Sequence, residues 1–299
     1  MSKIAFLFPG QGSQKVGMDA GLLRTRFAEA DEALGFALSK IIAEGPDAEL
    51  VRTQHTQPAI LTVSIAWADQ LRERGIEADI AAGHSLGEYS ALVYAGALTF
   101  ADAVRLVHLR GKFMQEAVPE GVGAMAAIIG LDASTVADTC REASPDESES
   151  CQPANFNGAG QVVVAGHKAA VERAMALAKQ KGAKLVKALP VSAPFHSALM
   201  APAAERLRAE LERVKVAPLK LPVVANVTAE PNSDAARVKD LLHRQVTGSV
   251  RWEESVQKLA ALGVDEAYEV GPGAVLAGLV KRIAPAVKLQ PLQGVANNG

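Results

Sequence analysis

A serine hydroxyl is a useful nucleophile only where a base can take its proton and donors wait for the charge that its attack creates. One stretch offers that setting: Gly83-His84-Ser85-Leu86-Gly87. Asp79-Ile80-Ala81-Ala82 before it reads as the end of a buried strand, and residues 88–95 after it read as a helix. Strand, Gly-x-Ser-x-Gly and helix together describe a nucleophile elbow. The turn is so sharp that side chains at Gly83 and Gly87 would collide with the neighbouring strand and helix. Ser85 then stands at the apex, and the following helix aims its free N–H groups and positive dipole end at the reacting atoms. The bland alternative is an ordinary strand-to-helix turn that happens to contain serine.

A base must come from elsewhere in the chain. The six histidines are His55, His84, His108, His167, His196 and His243. His84 adjoins Ser85, but neighbours in such a turn point in different directions. His108 falls within a predicted helix and His167 at a turn. His196 lies in the proline-framed loop Pro190-Val191-Ser192-Ala193-Pro194-Phe195-His196-Ser197, far along the chain from Ser85, as triad partners usually are. His243 remains its rival. Arg110 is the second feature, on a helix predicted over residues 99–116 with Thr99 as N-cap. Its neighbours Leu106, Val107 and Leu109 are apolar, so a partly buried guanidinium in need of an anion stands against a solvated surface arginine. Two parallel N–H bonds from a guanidinium suit a substrate with a free carboxylate. The glycine-rich loop from Pro9 to Gly17 is neither a dinucleotide fingerprint nor a phosphate-binding loop: Lys15 holds the third glycine position, and Met18-Asp19 replace Lys-Ser/Thr. It is either a flexible turn or a backbone that approaches a ligand, with Gln11 and Gln14 as donors.

The composition narrows the class. The 299 residues are 49% hydrophobic and 21% charged, as in a soluble globular chain with a large core and room for a second small domain. A net charge of -2 gives no reason to expect nucleic acid or a membrane surface. Cys140 and Cys151 have no metal-like spacing and fit a reduced, cytoplasmic setting. Pro9-Gly10 ends the apolar N-terminal run too early for a signal peptide or a membrane span.

Alternating strands (residues 3–8, 79–82) and helices (22–38, 59–74, 88–95, 99–116) predict a mostly parallel sheet covered on both faces. From residue 124 the order becomes β-α-β-β-α-β (124–130, 133–143, 152–156, 161–165, 168–181, 183–189), that of a ferredoxin-like module. The predicted architecture is therefore α/β: a large catalytic domain of residues 1–123 and 192–299, with an inserted subdomain of residues 124–191. The return segment is expected to hold helices at 198–214, 238–245, 252–262 and 274–283, and strands at 221–227 and 267–270. The acidic loop 144–150 and Lys181, Lys184 and Lys187 could meet a partner or only water.

Six segments then occur together and in order: Gly10-Gln11-Gly12-Ser13-Gln14, Gly83-His84-Ser85-Leu86-Gly87-Glu88, Leu109-Arg110-Gly111, Asn155-Phe156-Asn157, Ala193-Pro194-Phe195-His196-Ser197 and Glu269-Val270-Gly271-Pro272-Gly273. Over residues 3–290 the chain resembles the malonyl-CoA:acyl carrier protein transacylases of bacterial fatty acid synthesis and the related acyltransferase domains of polyketide synthases. The resemblance implies an α/β-hydrolase-like large domain, Ser85 as the nucleophile, and His196 as general base and later acid. It implies that the backbone carbonyl of Gln245 holds the other histidine nitrogen, in place of an acidic third member. It further implies backbone N–H groups of Gln11 and Leu86 as oxyanion hole and Arg110 as the binder of the malonyl carboxylate. Asn155, Asn157 and Phe195 are substrate-binding candidates. Malonyl-CoA and acyl carrier protein are the implied partners of a monomer; no cofactor and no metal are expected. Gly248-Ser249-Val250-Arg251 departs from the family's commoner Asn-Pro-Val and puts the Gln245 contact in question. Rival readings are a stand-alone polyketide acyltransferase, a serine esterase or thioesterase, and a non-catalytic carrier-binding subunit. Against a hydrolase, no acid stands out between Ser85 and His196, and about a third of the chain follows that histidine.

Overall fold

The computed structural model describes residues 2–191 and 193–292. Ten strands run through it in chain order: β1 Ile4–Phe8, β2 Ile80–Gly83, β3 Gly123–Ile129, β4 Cys151–Gly158, β5 Gln161–His167, β6 Leu185–Ala188, β7 Val223–Val224, β8 Pro231–Asn232, β9 Glu266–Glu269 and β10 Lys288–Gln290. The larger sheet has the order β10-β9-β1-β2-β7-β8, parallel throughout except for the β7–β8 pair. β1 and β2 are continuous apolar runs because helices cover both faces. Their register sets Phe8 beside Gly83. The loop after β1 and the elbow after β2 therefore leave the sheet side by side at its carboxyl edge, where open α/β sheets bind ligands.

The second sheet has the antiparallel order β4-β5-β3-β6, crossed by helices Ala133–Ala143 and Lys168–Gln180. This is the ferredoxin-like arrangement expected from the element order. Its apolar face and the two helices enclose a core of their own. The segment before helix Trp252–Ala261 ties it to the larger sheet: Phe156 N–H donates to Val250 O at 2.9 Å and Val250 N–H to Ala154 O at 2.8 Å. The boundary expected at 192 falls on Ser192, which, like residues 293–299, lies outside the described residues.

Several elements differ from their sequence reading. Residues 22–38 are not one helix: Gly35, left-handed at φ 74°, caps Thr25–Leu34, and a separate helix runs Leu38–Glu44. A short turn of helix, Asp47–Leu50, was also without a sequence signal. The next helix is Thr53–Glu73, starting six residues before the expected 59. Pro58 lacks the N–H that would bond Gln54 O. His108 Nδ1 takes that carbonyl at 2.9 Å, so proline sits inside the helix without leaving a bare acceptor. The strand expected over 221–227 shrinks to Val223–Val224, and the backbone then turns to pair with β8, a strand the sequence did not announce. β10 was likewise unannounced. Elsewhere the correspondence is close: helix Phe100–Glu116 is capped by Thr99, whose Oγ1 accepts from Asp102 N–H at 3.1 Å. Cys140 and Cys151 are buried free thiols, with sulfurs 3.7 Å apart. Among the described residues, no helix is long and apolar enough to cross a membrane.

Candidate active site

Ser85 sits between β2 and helix Gly87–Tyr94, and the turn explains its glycines. A Cβ on Gly83 would fall 1.9 Å from the Gly87 carbonyl carbon, and one on Gly87 would fall 2.0 Å from Phe8 O. Neither position tolerates a side chain without moving backbone. Ser85 itself is left-handed at φ 51°. That conformation costs a non-glycine residue about 1–2 kcal/mol, so its surroundings must hold it. Asn226 Oδ1 accepts from Ser85 N–H at 2.7 Å, and Asn226 Nδ2 donates to Gly83 O at 2.6 Å. Gln245 Nε2 donates to Ser85 O at 2.9 Å.

His196 arrives from the opposite side, also left-handed at φ 57°. Its Nε2 lies 2.7 Å from Ser85 Oγ. Its Nδ1 lies 2.8 Å from Gln245 O and 3.2 Å from Gly248 O. Carbonyls only accept, so Nδ1 carries the hydrogen and Nε2 presents its lone pair to Ser85 Oγ–H. The variant segment at 248–251 is thus compatible with the Gln245 contact: Gly248 adds a second carbonyl, and Ser249 Oγ donates to Pro153 O at 2.6 Å. Gln152 steadies the loop, donating from Nε2 to His196 O at 3.2 Å and accepting from Ala198 N–H at 3.0 Å.

Burial pushes the His196 imidazole down to about 3, helped by the Arg110 cation and opposed by the Gln245 carbonyl. It is therefore neutral, as a base must be. A small neutral fluorophosphonate is expected to label Ser85 at a rate that changes less than about threefold from pH 8 to pH 5.5, whereas an imidazole at the ordinary 6.5 would lose roughly tenfold. Glu88, which burial raises to about 7, titrates within that window, so the profile is taken in parallel on Glu88→Gln. A roughly tenfold fall shared by both proteins would mean that His196 titrates normally.

Arg110 is 1% exposed. Its Nη1 donates to Gln57 Oε1 at 2.8 Å, and its Nη2 to Gln245 Oε1 at 2.9 Å and to Ser85 Oγ at 3.1 Å. Burial lowers its pKa, and Tyr89 and Glu88 oppose that shift. Among the described residues the guanidinium forms no ion pair. A buried cation hydrogen-bonded to neutral oxygens beside a serine hydroxyl is chemically suited to receive an anion.

These groups line a cavity of about 140 Å³, together with Leu86, Met114, Asn155 and Phe195. Gln11, Val191 and Phe195 are shared with a wider outer cleft of about 660 Å³. The inner space suits a short acyl group, and the outer one a longer arm leading to it. Leu86 precedes the first residue of the elbow helix, where backbone N–H groups lack intrahelical acceptors. Asn157 does not line the cavity; its Oδ1 lies 2.9 Å from His84 Nε2. The other histidines are engaged elsewhere: His55 with Glu49, His108 with Gln54, His167 with Ser150 and His243 with Glu205. Lys181 is paired within the small subdomain, to Glu142 at 2.7 Å. Sequence reasoning missed Gln57, Asn226 and Gln152. No motif marks them, and each reaches its partner across a long stretch of chain.

The acyl transferase domain family matches residues 5–289. The malonyl CoA-acyl carrier protein transacylase of Salmonella typhimurium is 52% identical over 299 aligned residues, covering 98% of this chain and 96% of the relative. That of Bacillus subtilis is 49% identical over 294, covering 96% and 92%. Among solved structures, the malonyl CoA-acyl carrier protein transacylase of Coxiella burnetii superposes with a TM-score of 0.95 at 41% identity, covering 99% of this chain and 96% of that one. A type II polyketide synthase acyl-carrier protein in complex with its malonyl-transacylase gives 0.93 at 46% identity, covering 96% and 95%. The chain belongs to the acyl transferase domain family, among the malonyl-CoA–acyl carrier protein transacylases.

Proposed function

We propose that this chain moves a malonyl group from malonyl-CoA to the phosphopantetheine thiol of an acyl carrier protein, through an ester on Ser85, for fatty acid synthesis. The observation that carries this reading is the guanidinium of Arg110, held by neutral groups 3.1 Å from Ser85 Oγ. In the first half-reaction, Ser85 Oγ gives its proton to His196 Nε2 and attacks the thioester carbonyl. The oxyanion meets the N–H groups of Leu86 and Gln11, each such donor being worth about 3–4 kcal/mol of barrier. The carbon–sulfur bond then breaks, and the CoA sulfur takes the proton back from His196. In the second half-reaction the carrier's thiol gives its proton to His196 and attacks the ester carbonyl; Ser85 leaves and is reprotonated. The two halves are near mirror images, so ping-pong kinetics follow. Arg110 binds the malonyl carboxylate throughout. Asn155 and Phe195 shape the acyl space, and Asn157 acts through His84. The reaction as written needs neither cofactor nor metal, and the protein is proposed to work as a cytoplasmic monomer.

Intact-mass spectrometry with peptide mapping tests this after mixing with malonyl-CoA or acetyl-CoA. The expected result is a malonyl adduct on Ser85, with far less acetyl adduct. Rapid release of free acid without an adduct would instead make the chain a hydrolase. Neither adduct nor acid would leave it a carrier-binding subunit.

A further inference from the structure

Acyl transfer as written makes no use of Glu88, a carboxylate only 2% exposed on the elbow helix, three residues after the nucleophile. Its Oε2 accepts from Gln245 Nε2 at 2.7 Å and from Asn226 N–H at 3.1 Å. Those same two residues hold the left-handed backbone of Ser85, Asn226 at its N–H and Gln245 at its carbonyl. The Gln245 side chain also meets Arg110, through Oε1. One buried carboxylate thus stands beneath both the nucleophile and the cation.

The chemistry of the amide gives this arrangement a direction. A primary amide can point either way in a symmetric setting. Above about pH 7, where Glu88 is ionised, its carboxylate only accepts, as the Ser85 carbonyl does at any pH, so Gln245 turns Nε2 toward both. Oε1 is then left for Arg110 Nη2, which only donates. Reversing the amide would set acceptor against acceptor at Glu88 and Ser85, and donor against donor at Arg110. The charge of Glu88 also opposes that of the guanidinium across the amide.

We propose that Glu88 is a positioning residue that locks the Gln245 amide, so fixing the spacing between Ser85 Oγ and Arg110 and with it the preference for acyl groups that carry a carboxylate. This rests on the reading of Arg110 as the carboxylate binder. Glu88 does not line the cavity.

The test, run well above pH 7 so that Glu88 is ionised in the parent, is the ratio of kcat/KM for malonyl-CoA to that for acetyl-CoA, with melting temperatures recorded alongside. Glu88→Gln presents either an oxygen or an NH2 group to Gln245, removes the charge from the lock, and leaves the amide's orientation to Ser85 O and Arg110 Nη2. The ratio is expected to fall at least fivefold, through kcat/KM for malonyl-CoA. Glu88→Asp keeps the buried charge but withdraws it by one methylene, and is expected to lower the ratio at least threefold; it serves if Glu88→Gln does not fold. A purely structural role would slow both substrates alike and lower the melting temperature at a constant ratio. A ratio within twofold of the parent's in either folded variant therefore overturns the proposal. Arg110→Ala is the control: if it leaves the ratio unchanged, the reading of Arg110 fails, and the role of Glu88 in selection with it.

Discussion

Arg110→Ala is expected to cut malonyl transfer by about 100-fold and to raise acetyl transfer relative to it. Hydrogen bonds to charged groups are worth about 1.5–3 kcal/mol, or roughly 10- to 150-fold. The upper part of that range applies because the guanidinium is buried, where water neither screens it nor competes for it. An acetyl donor gains on the opposite account. In the parent it offers nothing to a cation that is already buried, and in the variant no cation is left for it to neglect. The substitution also strips Gln57 Oε1 and Gln245 Oε1 of their donor, so Arg110→Gln, which fills more of the space, is the companion variant. The measurement is kcat/KM for the two acyl-CoA donors. A malonyl preference that survives in both variants would sink the assignment of Arg110.

How much of this was legible in the sequence depended on the range of the interaction. The elbow was legible because its requirement is partly local. Gly83 must lack a side chain because of the Gly87 carbonyl a few residues on, whereas Gly87 is bounded by Phe8 O on the neighbouring strand and was legible only through the motif's pattern. The ferredoxin-like module was legible from element order, since short connections leave few ways to fold β-α-β-β-α-β. The helix around Pro58 was misjudged at its start, because its first turn depends on a histidine 50 residues further along, and local propensity cannot see that donor. The same limit hid the supports of the site. Asn226 lies 141 residues from Ser85, and Gln57 lies 53 from Arg110. An asparagine after a two-residue strand and a glutamine one position before a proline look like any others until the sheet order brings them in. Glu88 was visible in the motif, but its burial and its grip on Gln245 were not.

His196→Ala is expected to slow Ser85 acylation by about 10⁴-fold, the upper end for general acid–base groups. The size of the loss follows from how this histidine is held. A base that must become a cation in the transition state usually leans on a carboxylate. Here the partners of Nδ1 are the carbonyls of Gln245 and Gly248, at the C-terminal end of helix Ala235–Thr247. The last carbonyls of a helix are left without intrahelical donors, and they carry the negative end of its dipole. A cation placed there gains about 0.3–1 kcal/mol at a surface and up to ~2 kcal/mol when partly buried. His196 is 3% exposed, which favours the larger value. The neutral acceptors have a second consequence. A full carboxylate would raise the imidazole pKa, but two carbonyls leave it low, so the resting enzyme keeps a free lone pair at Nε2 beside the Arg110 cation. Helix-end carbonyls orient the ring and favour its transient charge without bringing a carboxylate that would compete for Arg110, the proposed binder of the malonyl carboxylate. Stopped-flow acylation by malonyl-CoA, read as release of CoA thiol in the first turnover, measures the loss. A fall of less than about tenfold would move the base away from His196, since general base catalysis contributes roughly 10²–10⁴-fold.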